Sequence, residues 1–303
     1  MKIAFPTLKF GVYPKRPGEL LELPQFEQLL QWGKRCGFDG VELENSAFGL
    51  TDMSNAKLLE MRRLLDQYDL EAVSIKEGGD LTTENAAHHE NLMKEAVRVA
   101  GILGADIISV SLGQDLSAKG VSNQERLGGH FYFGGSHWAS DHDMRQTADS
   151  LRRICETAEL SGVQVSLEIR TTSIADNSKS ILKLYHMVNH PAFGLNPDVA
   201  NVVWAYHDPD ESWYECLEAM APYTNYLHVK NITALPIPEL NRTIFKRGLL
   251  SDGLIDFRHL LSHMKALGYS GYVVLEGADA GDKFFFFEQD IRYLRQLSKE
   301  IEF

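Results

Sequence analysis

The chain alternates short β-branched runs with longer stretches in which apolar residues recur at helical spacing. Eight runs are short, apolar and bounded by turn residues, which is typical of buried strands. These candidate strands cover residues 2–8, 40–45, 71–78, 105–113, 163–170, 192–199, 226–232 and 271–277. Between strands, residues 25–36, 55–68 and 144–160 each carry one apolar face at the period of a helix. The pattern therefore predicts strands and helices in alternation.

Glycine lies at the end of several predicted helices, two to four residues before the next strand. The segments RCGFDGVEL, LGADIISV, LSGVQVSL and LGYSGYVVL share this arrangement, and glycine there suits the left-handed residue that ends many helices. Strands that alternate with helices form a parallel sheet, and eight such strands close a barrel. A doubly wound sheet is less favoured, because no GxGxxG or GxxxxGK[ST] motif follows the first strand. We therefore predict an α/β fold, a (β/α)8 TIM barrel.

Two of the gaps between predicted strands are longer than the others. Residues 114–142, after the fourth strand, are rich in glycine, histidine and aromatic residues, and residues 233–253 follow the seventh strand. Both follow the carboxyl ends of strands, where the loops of an α/β barrel line the active site. No Ser/Pro-rich linker or change of composition interrupts the chain. We predict a single domain over residues 1–303, with extended loops after strands 4 and 7.

The charge balance argues against two classes of partner. The chain has 30 basic and 42 acidic residues, a net charge of −12 with histidine neutral. A net acidic chain repels nucleic-acid backbones and anionic membranes, so we expect no nucleic-acid and no membrane partner. No apolar run reaches 18 residues, and the start lacks a secretory signal pattern. Three separated cysteines, Cys36, Cys155 and Cys216, suit a reducing compartment. We expect a cytoplasmic protein.

Four side chains that can bind a metal follow apolar runs on four successive predicted strands. In chain order they are Glu168, Asp198, His228 and Glu276. A carboxylate at the end of a buried strand is costly unless it is paired or coordinated. One explanation is a shared site for a divalent cation, and the other is a salt-bridge network with basic residues such as Arg170 and Lys230. Four such residues in succession favour the cation site.

The predicted donors are three carboxylates and one imidazole, without a thiolate. Hard divalent cations with about six ligands prefer such oxygen-rich sets, which suits Mn²⁺, Mg²⁺ or Co²⁺. Zn²⁺ is less favoured, because its structural sites prefer cysteine and histidine. A six-coordinate ion would keep two positions for substrate oxygens. That arrangement suits a hydroxy-ketone that binds through both of its oxygens.

Three features together resemble the xylose isomerase-like TIM-barrel superfamily, the sugar phosphate isomerase/epimerase family, over nearly the whole chain. They are the strand-end residues, the segment HVKN, and the segment LLSDGLIDFRHLLSHMKALGYSGYVVLEG. The superfamily includes sugar isomerases and epimerases, inosose dehydratase and the metal-binding subunits of C-glycoside deglycosidases. The resemblance implies one divalent ion, often manganese, bound by Glu168, Asp198, His228 and Glu276. It also implies that Glu168 and Glu276 act as a paired acid and base.

The expected activity is metal-dependent isomerisation or epimerisation of a sugar or keto-sugar through an enediolate. A cation on the carbonyl oxygen eases removal of the neighbouring proton, and carboxylates on opposite faces can remove and return it. Loss of a leaving group from the same enolate makes a lyase the alternative. That lyase would be an inosose-type dehydratase or a C-glycoside deglycosidase subunit acting on 3-oxo-glycosides. A non-catalytic sugar-binding barrel is a third, less favoured interpretation.

Further polar residues near the strand ends are predicted to bind substrate. They are Arg170, Lys230, His207, Glu44 and Lys76. Arg170 lies two residues after Glu168 and Lys230 two residues after His228, so alternation along a strand places each pair on one face. Structural roles are the alternative, as ion pairs or, for His207, as a helix start. Histidines 130, 137 and 142 lie among aromatic residues in the long fourth loop, which could wall a sugar-binding cleft.

The predicted substrate is a small-molecule carbohydrate. No glycine-rich loop that would hold a phosphate follows strands 7 or 8, which favours a substrate without phosphate. Four consecutive aromatic residues, Phe284 to Phe287, begin the last predicted helix and cover all of its sides. They could pack on the barrel wall under residues 233–253, or they could face another subunit. Because the superfamily that the chain resembles commonly forms oligomers, we predict a subunit interface there and a homo-oligomer, with a second kind of subunit if the chain belongs to a deglycosidase.

Overall fold

Eight parallel strands lie at the centre of the computed structural model. They are β1 (Lys2–Pro6), β2 (Gly40–Glu44), β3 (Glu71–Gly79), β4 (Ile107–Leu112), β5 (Gln164–Glu168), β6 (Phe193–Asn196), β7 (Leu227–Val229) and β8 (Tyr272–Leu275). The structure describes residues 1–10, 20–113, 126–127, 130–131, 135–171, 173–203, 209–240, 242–277 and 281–303.

The strands are arranged as a nearly closed ring. Their order is β6-β5-β4-β3-β2-β1-β8-β7, and the ring is nearly closed where Leu195 of β6 bridges Thr224, three residues before β7. The Asn225 backbone N–H extends this contact by donating to the Leu195 carbonyl at 3.2 Å. The predicted TIM barrel is therefore confirmed.

A helix of eight or more residues follows each strand. These are α1 (Leu23–Cys36), α2 (Asn55–Tyr68), α3 (Ala86–Leu103), α4 (Asp141–Leu160), α5 (Ser178–Val188), α6 (Trp213–Met220), α7 (Phe257–Ala266) and α8 (Lys283–Glu300). Short helices lie in the connections at Asn45–Phe48, Gly135–Trp138 and Ala200–Val203, with 3-10 turns at Thr7–Phe10, Leu50–Asp52, Ala221–Tyr223 and Pro238–Leu240.

Local sequence explains where several helices begin and end. Ser140 and Ser212 cap α4 and α6, each hydroxyl accepting a backbone N–H of the first turn at 3.2 Å. Such caps stabilise a helix by about 1 kcal/mol. Gly37 and Gly104 follow α1 and α3 with φ of 87° and 77°, a left-handed conformation that glycine adopts without strain. The predicted glycine ends are therefore found where the pattern placed them.

The long loop predicted after the seventh strand contains an antiparallel hairpin. Its strands, Asn231–Ile237 and Arg242–Gly248, follow directly on β7. The predicted strand 226–232 therefore divides at Lys230. Asn231 explains the division: its amide donates to the Leu250 and Ile255 carbonyls at 2.8 and 3.0 Å. These bonds close the base of the hairpin beside the barrel mouth.

The long segment after the fourth strand is described only in part. Residues 114–125, 128–129 and 132–134 lie outside the described residues. Within the segment, Arg126–Leu127 pairs with His130–Phe131, and α4 begins at Asp141. None of the helices in the described ranges combines the length and apolarity needed to cross a bilayer.

Candidate metal centre

The four predicted metal ligands converge at the carboxyl ends of β5 to β8. Glu168 ends β5, Asp198 lies two residues beyond β6, His228 lies within β7 and Glu276 follows β8. Each offers a ligand atom, and these atoms lie within 4.8 Å of one another. All four side chains are buried. The barrel therefore brings together residues that are up to 108 positions apart in the sequence.

A short turn after β6 directs Asp198 into the cluster. Pro197 has no N–H to continue the strand, and the Asp198 N–H donates back to the Asn196 carbonyl at 3.0 Å. In the helix Ala200–Val203, the Asn201 amide donates to Asp198 Oδ2 at 3.1 Å and to Glu168 Oε1 at 3.3 Å. Asn201 thus orients two predicted ligands, and nothing in the sequence pattern indicated it.

Two lysines lie among the carboxylates. Lys76 Nζ is 3.1 Å from Glu168 Oε2 and 3.0 Å from Glu276 Oε1. Lys230 Nζ forms ion pairs with Asp198 and with Glu276 Oε2, the latter at 3.0 Å. Both lysines were predicted to bind substrate. The sequence analysis gave a salt-bridge network as the alternative to a cation site. Such salt bridges are present, and they involve Lys76 where Arg170 had been considered.

The charges of this cluster shift the pKa values of its members. Burial lowers the pKa of Lys76, but the charges of Glu168 and Glu276 outweigh burial and hold it well above its usual range. Burial raises the pKa of Glu168, and the opposing charge of Lys76 brings it below its usual range. Burial dominates at Asp198 and raises its pKa. Lys76 and Glu168 therefore form an ionised pair.

The residues present fit a divalent cation. Among the described residues, the buried atoms Asp198 Oδ1 and His228 Nδ1 have no hydrogen-bond partner. Charge points the same way, because the buried acidic side chains in and beside the cluster outnumber the basic ones. The acidic residues are Glu42, Glu44, Glu168, Asp198 and Glu276, and the basic ones are Lys76, Lys230 and Arg247. A divalent cation would offset part of this excess of negative charge.

Arg247 and Glu42 also join the site, and the sequence analysis named neither. Arg247 reaches down from the hairpin, with Nη1 3.6 Å from Glu276 Oε2. Its position depends on the fold of the hairpin, which left no signal in the local pattern. Glu42 lies on β2, with Oε2 3.0 Å from His228 Nε2. Strand alternation could have found Glu42, because it shares a face with Glu44.

The other predicted substrate residues are placed less centrally. Arg170 is exposed in the loop after β5 and donates to Ser111 Oγ at 2.9 Å. Arg170 lies two residues beyond the end of β5, and its contact with substrate stays a prediction. Glu44 is buried at the end of β2, where its backbone N–H donates to Thr7 Oγ1 at 3.2 Å. His207 lies outside the described residues.

The three histidines predicted in the long fourth loop lie in different surroundings. The His130 side chain lies outside the described residues, and His142 is exposed near the start of α4. The His137 ring packs edge-on against Trp138 with centroids 5.1 Å apart. A role for these residues in walling a cleft stays a prediction.

The fold is a parallel eight-stranded barrel, and carboxylates and an imidazole cluster at its mouth. Comparison with known protein families shows which family has these features. A family model described as xylose isomerase-like TIM barrel matches residues 30–297. The chain therefore belongs to the xylose isomerase-like TIM barrel family, as its sequence features indicated.

Individual relatives within the family are distant. L-ribulose-5-phosphate 3-epimerase UlaE of Shigella flexneri serotype 5b is 22% identical over 284 residues, covering 89% of this chain and 87% of that protein. Two solved structures share the fold. A xylose isomerase-like TIM barrel protein from Mycobacterium smegmatis, in complex with magnesium, has a TM-score of 0.81 at 22% identity, covering 99% of this chain and 97% of that one. D-allulose 3-epimerase from Methylomonas sp. has a TM-score of 0.71 at 17% identity, covering 98% of each chain.

Proposed function

We propose that the chain is a divalent-metal-dependent epimerase or isomerase of a sugar or keto-sugar, with Glu168 and Glu276 as its acid/base pair. The observation that carries the proposal is the buried convergence of four ligand atoms within 4.8 Å of one another. Relatives named as sugar 3-epimerases support it. We propose Mn²⁺ as the resident ion, and Mg²⁺ or Co²⁺ fit the same donors.

Glu168, Asp198, His228 and Glu276 would hold the cation, which supplies Lewis-acid polarisation of a substrate carbonyl. Polarisation of that kind makes the proton on the adjacent carbon more acidic. The protein then has to provide a base that removes this proton and an acid that returns it. Both groups have to lie close to the same carbon.

The positions of Glu168 and Glu276 on the barrel support this pair of roles. They come from β5 and β8, which β6 and β7 separate in the ring. They therefore approach the mouth from different sides, and Lys76 Nζ contacts both at 3.1 and 3.0 Å. One carboxylate removes the proton from one face of the substrate and the other returns a proton to the opposite face. The carbon is inverted by this exchange.

The basic side chains serve to bind and orient the substrate. Lys76, Lys230 and Arg247 are largely buried against the carboxylates, where they can donate hydrogen bonds to hydroxyl or carbonyl oxygens without competition from water. Arg170, Glu44 and His207 complete the proposed substrate contacts. The names of the relatives point to a ketose whose third carbon is inverted.

Proton exchange with solvent tests the proposal directly. The whole protein, loaded with Mn²⁺, is incubated in D₂O with D-allulose, L-ribulose and L-ribulose 5-phosphate, and the products are read by NMR after the ion is removed. We expect deuterium at the third carbon together with the epimeric ketose. A dehydrated product would support the lyase instead. Absence of exchange with every ketose, in protein shown to bind Mn²⁺, would overturn the proposal.

Paired variants assign the proton carriers. Glu168→Gln and Glu276→Gln should each reduce epimer formation by at least about 100-fold. Lys183→Met is the matched control, because Lys183 forms an exposed ion pair with Asp141 on the outside of the barrel. Full epimerisation by either glutamine variant would remove that residue from the acid/base pair.

A further inference from the structure

Glu42 is a buried carboxylate directly behind the ring of His228. Its Oε2 lies 3.0 Å from His228 Nε2. The opposite ring atom, Nδ1, faces the cluster and lies 3.4 Å from Glu276 Oε1 and 3.8 Å from Glu168 Oε1. The side chains of Glu42 and His228 are both 0% exposed. The two ring nitrogens of His228 therefore lie in different surroundings. Nε2 faces Glu42, and Nδ1 faces the other predicted ligands.

Two hydroxyl groups fix the position of Glu42. Ser74 Oγ donates to Glu42 Oε2 at 2.8 Å, and the Tyr226 hydroxyl donates to the same oxygen at 3.0 Å. The Tyr226 ring also packs edge-on against His228, with centroids 5.2 Å apart. An oxygen that accepts from both hydroxyls is an acceptor for His228 as well. His228 Nε2 is therefore the donor and carries a hydrogen.

We infer that Glu42 is the positioning residue for His228, holding the ring so that Nδ1 presents its lone pair to the cation. A histidine can bind a metal only through a nitrogen without a hydrogen. Hydrogen bonding of the second nitrogen to a carboxylate fixes the ring orientation and makes the ligating nitrogen more basic. Glu42 contacts neither substrate nor cation and acts only through the ring. This inference rests on the proposed function, because it takes the four strand-end residues to hold a cation.

Co²⁺ binding without substrate provides the test. The whole purified chain is stripped with EDTA and titrated with Co²⁺, whose visible absorption reports coordination. Glu42→Gln keeps the size of the side chain and should weaken Co²⁺ binding by about 10- to 100-fold. Tyr226→Phe removes one donor to Glu42 and should weaken binding less. Ser109→Ala changes another buried polar side chain on a barrel strand and should leave binding unchanged.

The ring hydrogen gives a second, independent measurement. In Zn²⁺-loaded protein with ¹⁵N-labelled histidine, His228 should show Nε2–H with a proton strongly shifted downfield by the carboxylate. In Glu42→Gln this signal should move upfield, because an amide oxygen is a weaker acceptor than a carboxylate. A purely structural role for Glu42 would lower the melting temperature of the metal-free protein without this shift.

The outcomes separate the inference from the proposed function. Failure of the wild-type protein to bind Co²⁺ or Zn²⁺ would contradict the proposed function itself. Equal Co²⁺ affinity in wild type and Glu42→Gln would overturn the inference alone. An equal loss in Ser109→Ala would also overturn it, because general loosening of the barrel would then explain the effect. If Glu42→Gln does not fold, an unchanged affinity in Tyr226→Phe would still contradict the inference.

Discussion

Replacing Lys230 by methionine should destabilise the protein when no divalent cation is present. The Lys230 side chain is 2% exposed and forms ion pairs with Asp198 and Glu276. Methionine has a similar length and no charge, so the variant leaves the barrel mouth with one more uncompensated negative charge. Two buried carboxylates then lose a partner at once.

The expected magnitude follows from the burial of the pair. Removing one partner of a buried ion pair costs about 3–5 kcal/mol. Glu276 keeps Lys76 at 3.0 Å, and Asp198 keeps the Asn201 amide at 3.1 Å, so we expect the lower end, about 3 kcal/mol. That corresponds to a fall in melting temperature of roughly 5 °C for a chain of this size. A cation at 100 times its Kd contributes about 2.7 kcal/mol and should recover most of the loss.

Thermal unfolding followed by circular dichroism, in EDTA and again in Mn²⁺, measures both effects. Lys183→Met is the control, because Lys183 and its partner Asp141 are 49% and 75% exposed, and such pairs contribute about 0–1 kcal/mol. We expect Lys230→Met to melt well below the control in EDTA, and we expect Mn²⁺ to raise its melting temperature most of the way to the value that the control shows in EDTA. Equal melting temperatures in EDTA would refute the view that these carboxylates are charged and depend on Lys230.

Three further predictions concern the site, the pH dependence of stability and the assembly. EDTA should abolish turnover, and Mn²⁺ should restore more activity than Ca²⁺; full activity of metal-stripped protein would exclude the cation. Burial raises the pKa of Asp290 from 3.8 to about 7, so the folded state binds the extra proton and stability should fall as the pH rises from about 4 through 7. Asp290→Asn should flatten this slope in melting curves at pH 4 to 8, and an unchanged slope would assign it to other groups. The homo-oligomer stays a prediction: Phe284 and Phe285 are 44% and 52% exposed, and light scattering at the monomer mass would contradict it.

The centres of the strands could be predicted from sequence, whereas their ends could not. Each candidate run contains a barrel strand, because buried parallel strands are apolar throughout. Within the run 192–199, however, the strand ends at Asn196, because the next residue, Pro197, cannot continue the pairing. The run 226–232 contains two elements, because the Asn231 side chain bonds to backbone 19 and 24 residues further along the chain. Such distant partners leave no mark on local periodicity.

The candidate ligands could be predicted because parallel strands place their carboxyl ends at one rim. The groups that support them could not all be found in this way. Glu42 lies in the middle of its strand, and its partner His228 is 186 residues away. Arg247 and Asn201 depend on a hairpin and a short turn that only the folded chain defines. Arg170 lies two residues past the end of β5, where alternation along a strand gives less guidance, and its role stays a prediction.

Anomalous diffraction from crystals soaked in Mn²⁺ tests the central claim most directly. We expect one anomalous peak at the carboxyl ends of β5 to β8, within about 2.0–2.4 Å of an oxygen from each of Glu168, Asp198 and Glu276 and of His228 Nδ1. A peak bound elsewhere, or ordered side chains at this mouth with no peak in Mn²⁺-saturated crystals, would contradict the account.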